Sequence, residues 1–177
     1  LKNLRTDRID LYQLHFPNHE IPVEETLGIM ESLQKSGKIR AYGISNFGPH
    51  DLDKVLKTGF KPATNQMAYN LLFRAIEFGI QPLCAEHDIS ILCYSPIMQG
   101  LLAGKFASAD DVPVDRARTR HFRGTREQAR HGEPGAEKET FDAVAKIRKI
   151  AEQNNIPMSD MALAWLLAQP DVTSVIA

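Results

Sequence analysis

Short apolar runs alternate with helical stretches along this chain, and each run ends in hydrogen-bonding side chains. The first, Ile9 to His15, closes on a histidine just before Pro17. The next, AYGISNF, ends in Ser45 and Asn46; ATNQMAYN carries Gln66; SILCYSP carries Tyr94 and Ser95. Strand–helix alternation of this kind predicts a parallel sheet with helices outside it. In a parallel barrel the carboxyl ends of the strands are where the loops converge and the chemistry sits.

Local signals set the expected boundaries. Pro22 precedes a helix over about Glu24 to Ser36, with acids at its start, Gly37 as its stop, and Leu27, Met30 and Leu33 on one face. A strand over about Ala41 to Ser45 leads to a helix opened by Pro49, lined by Leu52, Val55 and Leu56, and stopped at Gly59. The third strand is near Ala63 to Ala68, a helix covers about Ile76 to His87, and the fourth strand spans Ser90 to Ser95. An irregular segment from Pro96 to Gly135 follows. Helices over about Lys138 to Gln153 and Ser159 to Ala168 then lead to a last strand, Thr173 to Ala177. Asn154, Asn155 and Pro157 separate these two helices, and Ser159 is a candidate cap.

Both an open doubly wound sheet and a closed barrel fit the alternation. A doubly wound dinucleotide fold carries a Gly-rich turn after a strand, and no G-x-G occurs here. Polar groups at four strand ends favour a ring of strands around one site. The expected fold class is therefore α/β, part of a (β/α)8 barrel. Both ends read as cut: LKNLRTD resembles a helix tail, and TSVIA a strand still running.

A net charge of −1 removes any global field drawing the chain to nucleic acid or membrane. Cys84 and Cys93 lie in apolar segments without C-x-x-C or metal-ligand spacing, which predicts buried reduced thiols, no metal, and a cytoplasmic protein. Between Arg116 and Arg130 stand six arginines (116, 118, 120, 123, 126 and 130) against one acid, Glu127. A solvated basic face is the plain reading of such a run.

The stretches TDRIDLYQLHFP, ESLQKSGKIRAYGISNF, NQMAYNLL, ILCYSPIMQGLLAGKF and ALAWLLAQPDVTSVIA together resemble the aldo-keto reductases. The resemblance implies one partial TIM-barrel domain over residues 1–177, carrying about the fourth to eighth strands. It implies an NADP (NADPH) cofactor, a small-molecule aldehyde or ketone as substrate, and neither nucleic acid nor membrane insertion; the oligomeric partner stays open. His15 matches the catalytic histidine that orients and polarises the carbonyl. Ser45, Asn46 and Gln66 match groups that hold the nicotinamide carboxamide, although Ser45 and Asn46 also suit helix-cap chemistry. Tyr94 matches the ring stacked beneath the nicotinamide, and Ser95, Pro96, Ile97, Gly100 and Leu101 the turn along the pyrophosphate. Lys105 and Arg118 match phosphate contacts, in a loop whose length suits a functional lid.

The family's catalytic aspartate, acid tyrosine and lysine precede its histidine, and nothing before Leu1 supplies them here. The resemblance thus implies that these residues alone are inactive, with raw sheet edges that promote self-association. An alternative within the same superfamily is a non-enzymatic, cofactor-sensing subunit that regulates a membrane channel.

Overall fold

Five apolar runs form strands: β1 Ile9–Leu14, β2 Ile39–Ser45, β3 Thr64–Ala68, β4 Ser90–Tyr94 and β5 Val172–Ile176. They make one sheet in the order β1-β2-β3-β4-β5, and every neighbouring pair is parallel. Parallel neighbours need a crossover, which the helices supply: α1 Val23–Lys35, α2 Pro49–Lys57 and α3 Ile80–Glu86, then α4 Glu137–Gln153 and α5 Met158–Leu167. The computed structural model describes residues 1–177. No helix is long and apolar enough to cross a membrane.

The chain divides into two units: Leu1–Tyr69 with Arg74–Tyr94 and Leu167–Ile176, and Asn70–Phe73 with Ser95–Leu166 and Ala177. The first holds the whole sheet. Its helices carry the expected stripes inward, with Leu27 and Met30 of α1 and Leu52 and Val55 of α2 buried. Pro49 occupies the first turn of α2, where a missing N–H costs nothing. Cys84 and Cys93 are both fully buried, and burial pushes their thiols up to about 11 and about 12, so neither is a nucleophile at neutral pH.

Two helix boundaries differ from the expectation. The stretch from Ile76 to His87 splits at Gly79 into a 3-10 turn, Ala75–Phe78, and α3. Pro82 explains the break: it has no N–H to give to Phe78, and the split moves it into the first turn of α3. Ser159 is not a cap; it lies inside α5 and its hydroxyl bonds Asp160 at 3.1 Å. Pro157 starts the helix earlier, its carbonyl accepting the Met161 N–H at 3.1 Å.

The second unit is built from the segment the sequence left irregular. Val112, Ala117 and Phe122 from that segment are buried with Val144 and Ala151 of α4 and Met158 and Ala162 of α5. An ion cluster fastens it further. Arg126 donates from Nε to Glu137 Oε1 at 2.6 Å and from Nη2 to Asp110 at 3.1 Å, with its guanidinium 5.4 Å from the Phe122 ring. Arg123 reaches Asp110 at 3.4 Å and gives its backbone N–H to Glu137 at 3.1 Å.

Burial pushes the Glu137 carboxyl up, but its contacts with Arg126 and Arg123 outweigh this and hold it below the usual carboxylate range. Its stabilisation is therefore present above the unfolded value and lost as pH falls through the folded one. Acidification below about pH 4.5 is expected to loosen this unit. The single tryptophan, Trp165, reports it by fluorescence; a Glu137→Gln variant should lose that acid-dependent change.

Candidate functional site

The strand ends of the first unit are tied together by side chains rather than merely placed near one another. Asn46 is the knot. It follows β2 with a left-handed backbone, φ 62°, which asparagine tolerates better than most residues. Its Nδ2 donates to the His15 carbonyl and to Ser45 Oγ, both at 3.1 Å, while its Oδ1 accepts the Tyr94 hydroxyl at 2.8 Å. One amide thus joins the ends of β1, β2 and β4.

Ser45 is 2% exposed and donates to the Gln66 carbonyl at 2.9 Å, and the Asn46 N–H reaches the same carbonyl at 3.0 Å. Ser45 and Gln66 are register partners between β2 and β3. Gln66 itself accepts, through Oε1, from Gln13 Nε2 at 2.6 Å, leaving its own Nε2 without a protein partner. His15 follows β1, exposed, with its ring 4.2 Å from that of Phe16 and tilted by 33°. Desolvation raises the Tyr94 phenol, which stays a neutral hydrogen-bond donor. His15, Ser45, Asn46, Gln66 and Tyr94 are therefore brought to one end of the sheet, as the strand-end pattern anticipated.

Under this rim lies a polar relay absent from the sequence reading. Thr64 Oγ1 donates to Gln13 Oε1 at 2.8 Å, and Gln13 passes on to Gln66. The relay crosses β2 at Gly43, the register partner of Gln13. A Cβ at Gly43 would collide with the Thr64 hydroxyl and come within 3.2 Å of Gln13 Cγ. Only glycine leaves that crossing open. The signal existed: Gln13 and Thr64 sit two positions before His15 and Gln66, and side chains two apart on a strand share a face.

In the second unit, Ile97, Gly100, Lys105 and Arg118 line a cavity of about 430 Å³ together with Gln99, Asp115 and Arg116. Gly100 has φ 105°, a conformation only glycine adopts without strain. Ser95, with φ 54°, is held through its carbonyl by Asn70 Nδ2 at 3.0 Å. Asn70 is 1% exposed and also accepts the Leu72 and Phe73 N–H groups at 2.9 and 2.8 Å. No spacing marked it in advance. Pro96 and Leu101 are buried, and Leu101 joins the apolar core, so its side chain is turned away from this cavity's wall. Lys105 is exposed, and Arg118 Nε donates to the Asp115 carbonyl.

Comparison with known proteins identifies the family. The Aldo/keto reductase family model matches residues 1–177. The aldo-keto reductase yakc of Schizosaccharomyces pombe, whose name specifies NADP(+), is 34% identical over 178 residues, covering 97% of this chain and 48% of that protein. Among solved structures, the glycerol dehydrogenase AKR11B4 from Gluconobacter oxydans superposes with a TM-score of 0.82 at 30% identity, over 99% of this chain and 51% of that one. An aldo/keto reductase from Klebsiella pneumoniae in complex with NADP and acetate gives a TM-score of 0.71 at 28% identity, over 99% and 50%. The chain spans about half the length of these relatives. It belongs to the aldo/keto reductase family.

Proposed function

We propose that this is an NADP-dependent reductase of aldehydes or ketones, whose five strands correspond to about the fourth to eighth of a single (β/α)8 barrel domain. The observation that carries the reading is the Asn46 knot, which gathers an imidazole, an amide pair and a phenol at one sheet end. The cofactor, when bound, supplies hydride to the carbonyl carbon. The residues fit that group: Gln66 Nε2 is an unsatisfied donor for the carboxamide beside Ser45 and Asn46, and the half-buried Tyr94 offers a ring for stacking. Within the second unit, Ile97, Gly100, Lys105 and Arg118, with the Ser95–Leu101 turn, are read as phosphate contacts. Yakc and the Klebsiella protein, with NADP in their names, support this choice of cofactor.

His15, exposed and steadied by Phe16, orients the substrate and donates an N–H to its carbonyl oxygen, where negative charge develops. None of the four tyrosines, Tyr12, Tyr42, Tyr69 and Tyr94, sits where the family this chain resembles has its acid tyrosine. General-acid catalysis is worth roughly 10²–10⁴-fold, so the 177 residues by themselves are expected to be inactive. The full-length protein is expected to consume NADPH only when an aldehyde or ketone is added. Cofactor binding without any carbonyl-dependent oxidation across a broad panel would reject the reductase.

A further inference from the structure

The arginine-rich stretch divides into two halves with different surroundings. Arg123 and Arg126 are engaged with Asp110 and Glu137, and Arg120 pairs with Glu133 at 3.0 Å. Arg116 and Arg130 have no acidic partner, and Arg118 satisfies only its Nε, on the Asp115 carbonyl. These unneutralised arginines, together with the Glu133-paired Arg120, line a cavity of about 510 Å³ within the second unit, a volume typical of small-molecule sites.

One wall of that cavity is aromatic. The Phe73 and His121 rings lie 6.1 Å apart, tilted by 48°, and Phe73 is 37% exposed. His121 is a wall rather than a charge: burial lowers its pKa, and its ring nitrogens lie 3.3 Å from Thr119 Oγ1 and 3.4 Å from the Leu72 carbonyl. Guanidinium groups bind carboxylates and phosphates as a fork and stack on flat rings. A solvated basic face needs neither a concavity nor an exposed phenyl ring. Here both coincide with the arginines that lack acids.

We propose that this cavity binds a small aromatic acid, its ring against Phe73 and His121 and its carboxylate or phosphate held by Arg116 and Arg130. The ligand is a molecule other than the nicotinamide cofactor. Gln99, Arg116 and Arg118 stand between this cavity and the neighbouring one around Lys105, which is the one read as a phosphate seat, whereas Arg130, Phe73 and His121 line only the former. The proposal goes beyond the reductase reading and stands without it.

The test is calorimetric titration of the full-length protein with phenyl phosphate, benzoate and phenol, each with and without saturating NADP. Both acids are expected to bind, phenol is not, and NADP does not displace the acids. Arg130→Ala and Phe73→Ala, checked for an unaltered melting temperature, should each weaken acid binding by about tenfold or more. Arg130→Lys, which keeps charge but loses the fork, should recover part of it. Absence of acid binding at millimolar concentration, displacement by NADP, phenol binding as well as benzoate, or folded variants with undiminished affinity would each overturn the proposal. Failure of the reductase reading would show instead as an absence of carbonyl-dependent NADPH oxidation, with acid binding intact.

Discussion

A Gln66→Ala, Tyr94→Ala double variant of the full-length protein should bind NADPH roughly 10–100-fold more weakly than the parent. Ring stacking contributes about 0.5–1.5 kcal/mol beyond burial, a hydrogen bond about the same again, and each 1.4 kcal/mol is tenfold in affinity. The mutations also release Asn46 Oδ1 and Gln13 Nε2 from their partners at 2.8 and 2.6 Å, so part of the loss comes from a looser rim. Tyr94→Phe separates the two effects: it keeps the ring, frees Asn46, and is expected to lose less than the alanine change. The check is a fluorescence titration with NADPH, beside a melting curve for each variant. A folded double variant with undiminished affinity would remove Gln66 and Tyr94 from the cofactor site and take the nicotinamide assignment with them.

Gly135→Ala should be the most damaging single methyl in the second unit, costing about 3 kcal/mol or more. Gly135 has φ 75°, where a side chain is strained by about 1–3 kcal/mol. Its added Cβ would also run into the Phe122 carbonyl and stand 2.6 Å from the Arg123 nitrogen. Those are backbone atoms and cannot swing aside, so overpacking adds a comparable cost. The displaced chain carries Phe122, 1% exposed in the core, and Arg123 and Arg126 of the ion cluster. Thermal unfolding is the measurement. An unchanged transition would mean that the segment is not held at this point. Gly132→Ala, with open space around the new Cβ, is the matched control.

Strand and helix positions were readable because the apolar spacing and the punctuating Pro22, Gly37, Pro49 and Gly59 agree with one another. Two helix boundaries moved at prolines: Pro82 lies inside a stretch of helical pattern, and Pro157 competes with Ser159 for the start of α5, while β2 begins at Ile39, two residues before the expected Ala41. His15, Ser45, Asn46, Gln66 and Tyr94 were visible as strand-end polar groups, since a two-residue period and a following helix fix where they emerge. What the pattern could not convey was the wiring between them. Asn46 joining His15 to Tyr94 depends on contacts 31 and 48 residues away in sequence. The arginine run read as a solvated face, because Asp110 and Glu137 lie outside it and only folding brings them to Arg126.

The Thr64–Gln13–Gln66 relay gives the strand ends an amide that can serve either polarity. With the Thr64 hydroxyl donating to Gln13 Oε1, Gln13 presents its NH₂ to Gln66 Oε1 at 2.6 Å, and Gln66 turns its own NH₂ outward. A hydroxyl also accepts, so both glutamines can turn over together with every link kept, and the mouth then shows an acceptor. Substituting Thr64 with valine would leave shape and burial almost unchanged but strip the chain of its anchor on β3. A ligand asking for either polarity would then meet side chains less firmly held.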